Sequence, residues 1–86
     1  MTTRQIADAE LVARVRYACC TGQAKAIRKA SRLSVLVIGG AVGVHHSSVT
    51  RWESAAQLPT GRRAVAYGQL LERLNGGPLD PLGGSL

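Results

Sequence analysis

The chain has 86 residues, 45% of them apolar, with one Trp, two Tyr and no Phe. That is enough for one small aliphatic core and too little for two, since cores divide only at several times this length. Eleven Lys and Arg stand against five Asp and Glu for a formal charge of +6, with a pI near 10.4. The length excludes a two-domain enzyme, and the charge balance points to a polyanionic partner, either duplex nucleic acid or an anionic membrane surface.

The charge is concentrated. Between Arg14 and Arg63 nine basic residues face the single acid Glu53. Cys19 and Cys20 are adjacent, without the spacing that metal sites and redox motifs use, so reduced thiols and no metal are expected. The N-terminus lacks the basic and then apolar segments of a secretory leader, which favours a cytoplasmic chain. The longest apolar run, residues 35–44, is interrupted by Gly39, Gly40 and Gly43 and falls well short of the roughly 20 residues a spanning helix needs.

In chain order, a first helix is expected over residues 7–20, where Leu11, Val15, Ala18 and Cys19 recur at helical spacing and Gly22 stops the run. Thr21 is the expected N-cap of a second helix over 23–32, whose narrow apolar stripe of Ala26, Ile27 and Ala30 is surrounded by Lys25, Arg28, Lys29 and Arg32. Ser34 caps a third helix over 35–42, apolar enough to imply burial on most sides, and Gly43 ends it. A fourth runs over 46–55 with Val49 and Trp52 as its buried pair. After Pro59 and Thr60 a fifth covers 61–74, carrying Val65, Leu70, Leu71 and Leu74. Residues 75–86, rich in Gly and Pro, are expected to form a disordered tail. The expected fold is therefore all-α, a five-helix domain over 1–75 followed by a flexible 76–86.

Function is concentrated in residues 35–54, VLVIGGAVGVHHSSVTRWES. Gly39 lies four positions before the turn glycine Gly43, and Val49 and Trp52 lie six and nine positions after it. A small residue lets two helices cross closely, the glycine makes the turn, and the two apolar residues seat the second helix on the first. This is the spacing of a helix-turn-helix. Extended over 24–74, with AIRKASRLS before SSVTRWES, the chain resembles the lambda repressor and Cro-like (Xre) family of DNA-binding domains. Arg28, Ser34, Trp52 and Glu53 occupy that family's places for an arginine in its first helix, a cap on its second and a Trp-Glu pair ending the recognition helix.

The resemblance implies an Arg28–Glu53 ion pair, and the residues agree: a lone carboxylate in a basic stretch is better explained as a paired structural group than as an idle exposed one. It also implies that His46, Ser47, Thr50 and Arg51 face DNA while Val49 and Trp52 face the core, and helical spacing puts the two sets on opposite faces. Arg51 is the leading base reader, toward guanine O6 and N7, with a phosphate contact as the alternative. Ser34, through the amides it caps, is expected to meet phosphate oxygens. So are His45, Ser48, Lys25, Lys29, Arg32, Arg62 and Arg63, solvated faces being the alternative for the cations. The chain departs from the family in three places. Gly39 stands at the small-residue position where alanine is usual, at a cost in helix stability of up to about 1 kcal/mol. Val35 and Leu36 stand where a glutamine is usual. Ser54 and Ala55 replace a glycine, which lengthens the expected recognition helix.

The expected function is a sequence-specific double-stranded DNA-binding transcriptional regulator, repressor or Cro type, from a phage or bacterium. It would need no cofactor and would bind operator DNA as a homodimer on two half-sites, or as a monomer. An antitoxin or a phage excision factor would share these features, and a basic membrane-associating peptide is the alternative outside that class. No nucleophile, base and orienting group assemble into an enzyme site.

Overall fold

The computed structural model describes residues 1–79. Among these residues there are five α-helices and no strand: α1 (Thr3–Thr21), α2 (Gln23–Ala30), α3 (Val35–Val42), α4 (His46–Glu53) and α5 (Gly61–Asn75). The radius of gyration is 12.0 Å, the roughly 12 Å expected of one compact chain of this length.

The helix ends follow from local hydrogen bonding. α1 begins at Thr3 rather than near residue 7, because Thr2 and Gln5 form a reciprocal capping box: Gln5 N–H donates to Thr2 Oγ1 at 3.1 Å and Thr2 N–H to Gln5 Oε1 at 2.8 Å. Thr21 is not the cap of α2. It is the last residue of α1, its hydroxyl donates to Ala18 O at 3.4 Å, and Gly22 at φ +84° both closes α1 and opens α2. A hydroxyl beside a break can serve either side of it, and only the backbone path decides which. α2 ends at Ala30, short of Arg32, which takes a left-handed φ of +58°.

α3 has the expected bounds. Val37 N–H donates to Ser34 Oγ at 3.2 Å, and Gly43 at φ +87° turns the chain while Gly43 N–H and Val44 N–H both donate to Gly39 O, at 2.8 and 2.9 Å. The expected burial of α3 on most sides is not found. Ile38 and Gly39 are buried, whereas Leu36 is 65% and Val37 53% exposed. α3 packs on α4 and α5 from one side, and a helix at the rim of a domain this small has nothing left to cover its other side.

α4 stops at Glu53, two residues before the expected end. Ala55 adopts φ +60°, the backbone state a glycine would take there, so the substitution does not lengthen the helix. It holds an L-residue in a conformation that costs it about 1–2 kcal/mol.

The core forms where α1 crosses α5 and α3 and α4 close over that pair. Leu11, Val15, Tyr67 and Leu71 lie between α1 and α5, and Ile38, Val49 and Trp52 extend the cluster beneath α3 and α4. The Trp52 and Tyr67 rings meet at a centroid distance of 4.9 Å, tilted by 40°, a favourable aromatic geometry. Residues 76–79 do not behave as the expected tail. Gly76 caps α5, and Leu79, 1% exposed, joins the core with its N–H donating to Glu72 Oε2 at 2.9 Å. Residues 80–86 of that expected tail lie outside the described residues.

Cys19 is buried and Cys20 exposed. Burial, reinforced by Cys20 and Glu53, pushes the Cys19 thiol from 9.0 up to about 12, and burial also raises Tyr67 above its ordinary value. The fold thus favours the protonated forms of both groups. Their contribution to stability is complete below about pH 9 and is lost as pH rises through the folded values. Urea midpoints should fall from about pH 9 to about pH 11, less steeply in Cys19→Ala. A thiol reagent at neutral pH should label Cys20 alone until denaturant exposes Cys19.

No described helix is long and apolar enough to cross a membrane.

Candidate nucleic-acid interface

The basic residues that sequence analysis singled out divide into distinct groups in space. α4 carries its functional candidates on one side: Val49 and Trp52 are buried at 0% and 5%, while His46, Thr50 and Arg51 are exposed and Ser47 and Ser48 half-buried. The helix thus presents imidazole, hydroxyl and guanidinium groups outward from an apolar seat. Thr50 Oγ1 is folded back onto His46 O at 3.3 Å, which spends its hydroxyl proton locally and leaves the oxygen as an acceptor.

The seat depends on Gly39. A Cβ at that position would stand 2.7 Å from Val44 O in the turn and 3.3 Å from the backbone N of His46, the first residue of α4, so the α3–α4 crossing is closer here than alanine permits. The lost helix propensity, up to about 1 kcal/mol, is the cost of that approach.

At the other end of α4, Glu53 holds the helix to α2. Arg28 Nε and Nη2 donate to the two Glu53 oxygens at 2.5 and 3.0 Å, and Arg28 Nη1 donates to Leu33 O at 2.9 Å. The side chains are 15% and 6% exposed. The bidentate hydrogen bond to Glu53 raises the Arg28 pKa above the ordinary arginine value, so the guanidinium is charged at every accessible pH. The ion pair expected from the motif is present and fixes α4 at its C-terminal end.

Its N-terminal end is fixed by a residue with a different expected role. His45, assigned to a phosphate, is the N-cap of α4: its Nδ1 accepts the Ser47 N–H at 3.2 Å and lies 2.8 Å from Ser47 Oγ. An Nδ1 that accepts requires the Nε2–H tautomer, so Nε2–H is left as the ring's remaining donor and a phosphate contact stays compatible with the cap. The signal was legible as the residue just before a helix start, but histidine is not among the usual capping types.

His45 and Ser48 share a polar cleft with Gln57, Thr60 and Arg63. The starts of α4 and α5 converge there, and the Thr60 side chain makes no cap bond, so the first amides of α5 keep free donors beside the Arg63 guanidinium. Arg62, next in sequence, faces elsewhere: it lines the α1–α5 groove with Arg4, Asp8 and Val12. The structure therefore brings His45, Ser48 and Arg63 together and separates Arg62 from them. Lys25 and Lys29 are exposed on α2, and Arg32 is exposed just beyond it; none of the three lines that cleft. Ser34, at the start of α3, uses its hydroxyl as a cap, which leaves the earlier amides of that helix as the available donors.

No family model, curated protein or solved structure matches the chain. Function is therefore read from the α3–turn–α4 geometry and from charge. Among the described residues, no group of three or more His, Cys, Asp or Glu side chains is arranged to hold a metal ion.

Proposed function

We propose that this chain is a sequence-specific regulator that binds double-stranded DNA through a helix-turn-helix of the lambda repressor and Cro-like type, with α4 as the recognition helix in the major groove. The observation that carries the reading is α4 itself. It is a short helix held at both ends, with Val49 and Trp52 buried and His46, Thr50 and Arg51 exposed on the opposite side, on a chain of charge +6. A rigid exposed helix with polar tips is what the major groove admits, and its N-terminal residues are the ones that reach base edges.

On this reading Arg51 reads guanine, His46, Ser47 and Thr50 contact neighbouring base edges, and the cleft of His45, Ser48 and Arg63 takes a backbone phosphate. Ser34 at the start of α3 and the cations Lys25, Lys29, Arg32 and Arg62 serve the flanking backbone. Two copies on half-sites about one helical turn apart would double the readout.

Fluorescence anisotropy against the duplex upstream of the gene and a scrambled duplex, at two salt concentrations, tests this. The wild type should prefer the upstream duplex, and Arg51→Ala should lose about fivefold to about 150-fold of that preference, the equivalent of about 1–3 kcal/mol. Added salt should weaken both duplexes in both proteins. Equal, purely salt-sensitive binding to the two duplexes, unchanged by Arg51→Ala, would reject base readout.

A further inference from the structure

We infer that His45 is a protonation-gated positioning residue: the neutral imidazole holds the start of α4 in place, and the imidazolium releases it. The inference rests on the proposed reading of α4 as the DNA-reading helix and supplies a regulation for it.

The cap is made by a ring nitrogen lone pair. Nδ1 of His45 accepts the Ser47 N–H at 3.2 Å, one of the four backbone donors that the first turn of a helix leaves without intrahelical partners. The common capping residues, Ser, Thr, Asn and Asp, accept through an oxygen that keeps its lone pair across the physiological range. Histidine is the side chain whose charge ordinarily changes between about pH 5 and 8. Once a proton occupies Nδ1, that atom can only donate. It can still bond the Ser47 hydroxyl oxygen, 2.8 Å away, but the Ser47 amide is left without its acceptor.

The charged and titratable groups around the His45 ring are few. On α4, the His46 ring lies 4.2 Å from the His45 ring, centroid to centroid, so two imidazolium ions there would repel. From α5, Arg63 lines the same cleft. α3 has no ionisable side chain, and Gln57, Leu58, Pro59 and Thr60 add none from the connecting segment. No carboxylate lines the cleft, and no residue of α1 does. The one acid of α4, Glu53, is engaged by Arg28 at the far end of the helix. A protonated His45 therefore loses its bond from the Ser47 amide and keeps only the contact to the Ser47 hydroxyl.

The consequence for DNA has two opposite parts. An imidazolium beside a phosphate strengthens sequence-independent attraction. A frayed first turn of α4 displaces His46 and Ser47, which weakens base readout. Mild acid should thus lower discrimination while total affinity holds or rises.

The test begins on the protein alone, by following amide and imidazole resonances in a pH titration. The Ser47 amide should move in step with the His45 ring in the wild type and in His46→Gln. In the double variant His45→Asn with His46→Gln, which keeps an oxygen cap and so preserves the fold and removes the neighbouring imidazole, it should stay fixed. A Ser47 amide that stays still while His45 titrates, or that moves equally in the double variant, would overturn the inference. On DNA, the ratio of upstream to scrambled affinity should fall about fivefold more from about pH 8 to about pH 5.5 in the wild type than in His45→Asn, the scale of one lost cap, His46 being present in both. Absence of any duplex preference at every pH, with the Ser47 titration intact, would overturn the DNA reading and leave the gated cap standing.

Discussion

Glu53→Gln is expected to lower the melting temperature by about 12–24 °C, from a loss of about 3 kcal/mol at roughly 4–8 °C per kcal/mol for a domain of this size. The substitution keeps the shape of the side chain and removes its charge. Arg28, 15% exposed, then faces an amide that can accept on one side only and turns a donor toward the guanidinium on the other. The desolvation already spent on the guanidinium is no longer offset, and its remaining bond to Leu33 O, at 2.9 Å, is too weak to compensate. Removing both partners is the control. Arg28→Met with Glu53→Gln should recover much of the loss, because a buried pair replaced on both sides leaves no uncompensated charge. Thermal unfolding followed by circular dichroism reads both proteins. A drop of under about 4 °C for Glu53→Gln would place the pair with exposed surface salt bridges, which contribute about 0–1 kcal/mol.

The second large effect is expected at the crossing of α1 and α5. Gly68 lies inside α5, where alanine would ordinarily gain about 1 kcal/mol of helix propensity. Here a Cβ would press against Val15 Cγ2 and stand 2.9 Å from both Leu11 Cγ and Leu11 Cδ1. Val15 is 0% and Leu11 6% exposed, so neither side chain has space to move aside, and overpacking of this kind costs typically about 1–3 kcal/mol and sometimes more. Gly68→Ala should therefore be destabilising by about 2 kcal/mol net, read as a lower urea midpoint at unchanged slope. Gly40→Ala is the matched comparison. It too lies in a helix, but nothing lies within 4 Å of its Cβ position, so the propensity gain of up to about 1 kcal/mol should appear as a stabilisation. Equal responses at the two sites would show that the α1–α5 crossing is looser than the contacts indicate.

Most of what was legible in the chain was local. The bounds of α3 follow from Ser34 and Gly43, because a capping hydroxyl and a left-handed glycine act within one helical turn. The opposition of Val49 and Trp52 to His46, Thr50 and Arg51 follows from helical periodicity alone. That Glu53 is paired was recoverable from the isolation of one acid among nine bases; Arg28 as its partner came from the family resemblance, and the bidentate geometry from the structure alone.

What stayed hidden depends on where remote segments come to lie. An apolar helix such as α3 reads as buried, yet Leu36 and Val37 are exposed, since burial is a property of the neighbours and not of the helix. Gly68 looks like a weak point of α5 until Val15 and Leu11, more than fifty positions earlier, are placed against it. Leu79 reads as tail until the turn after α5 returns it to the core, and Arg62 and Arg63 read as one basic pair until successive positions on a helix send them to different clefts. The chain by itself determined five helices, the turn between α3 and α4, the outward chemistry of α4 and the positive charge. Tertiary packing alone decided which apolar residues are covered, which glycines are contact points and which cations share a cleft, because those depend on distances between segments that sequence periodicity does not encode.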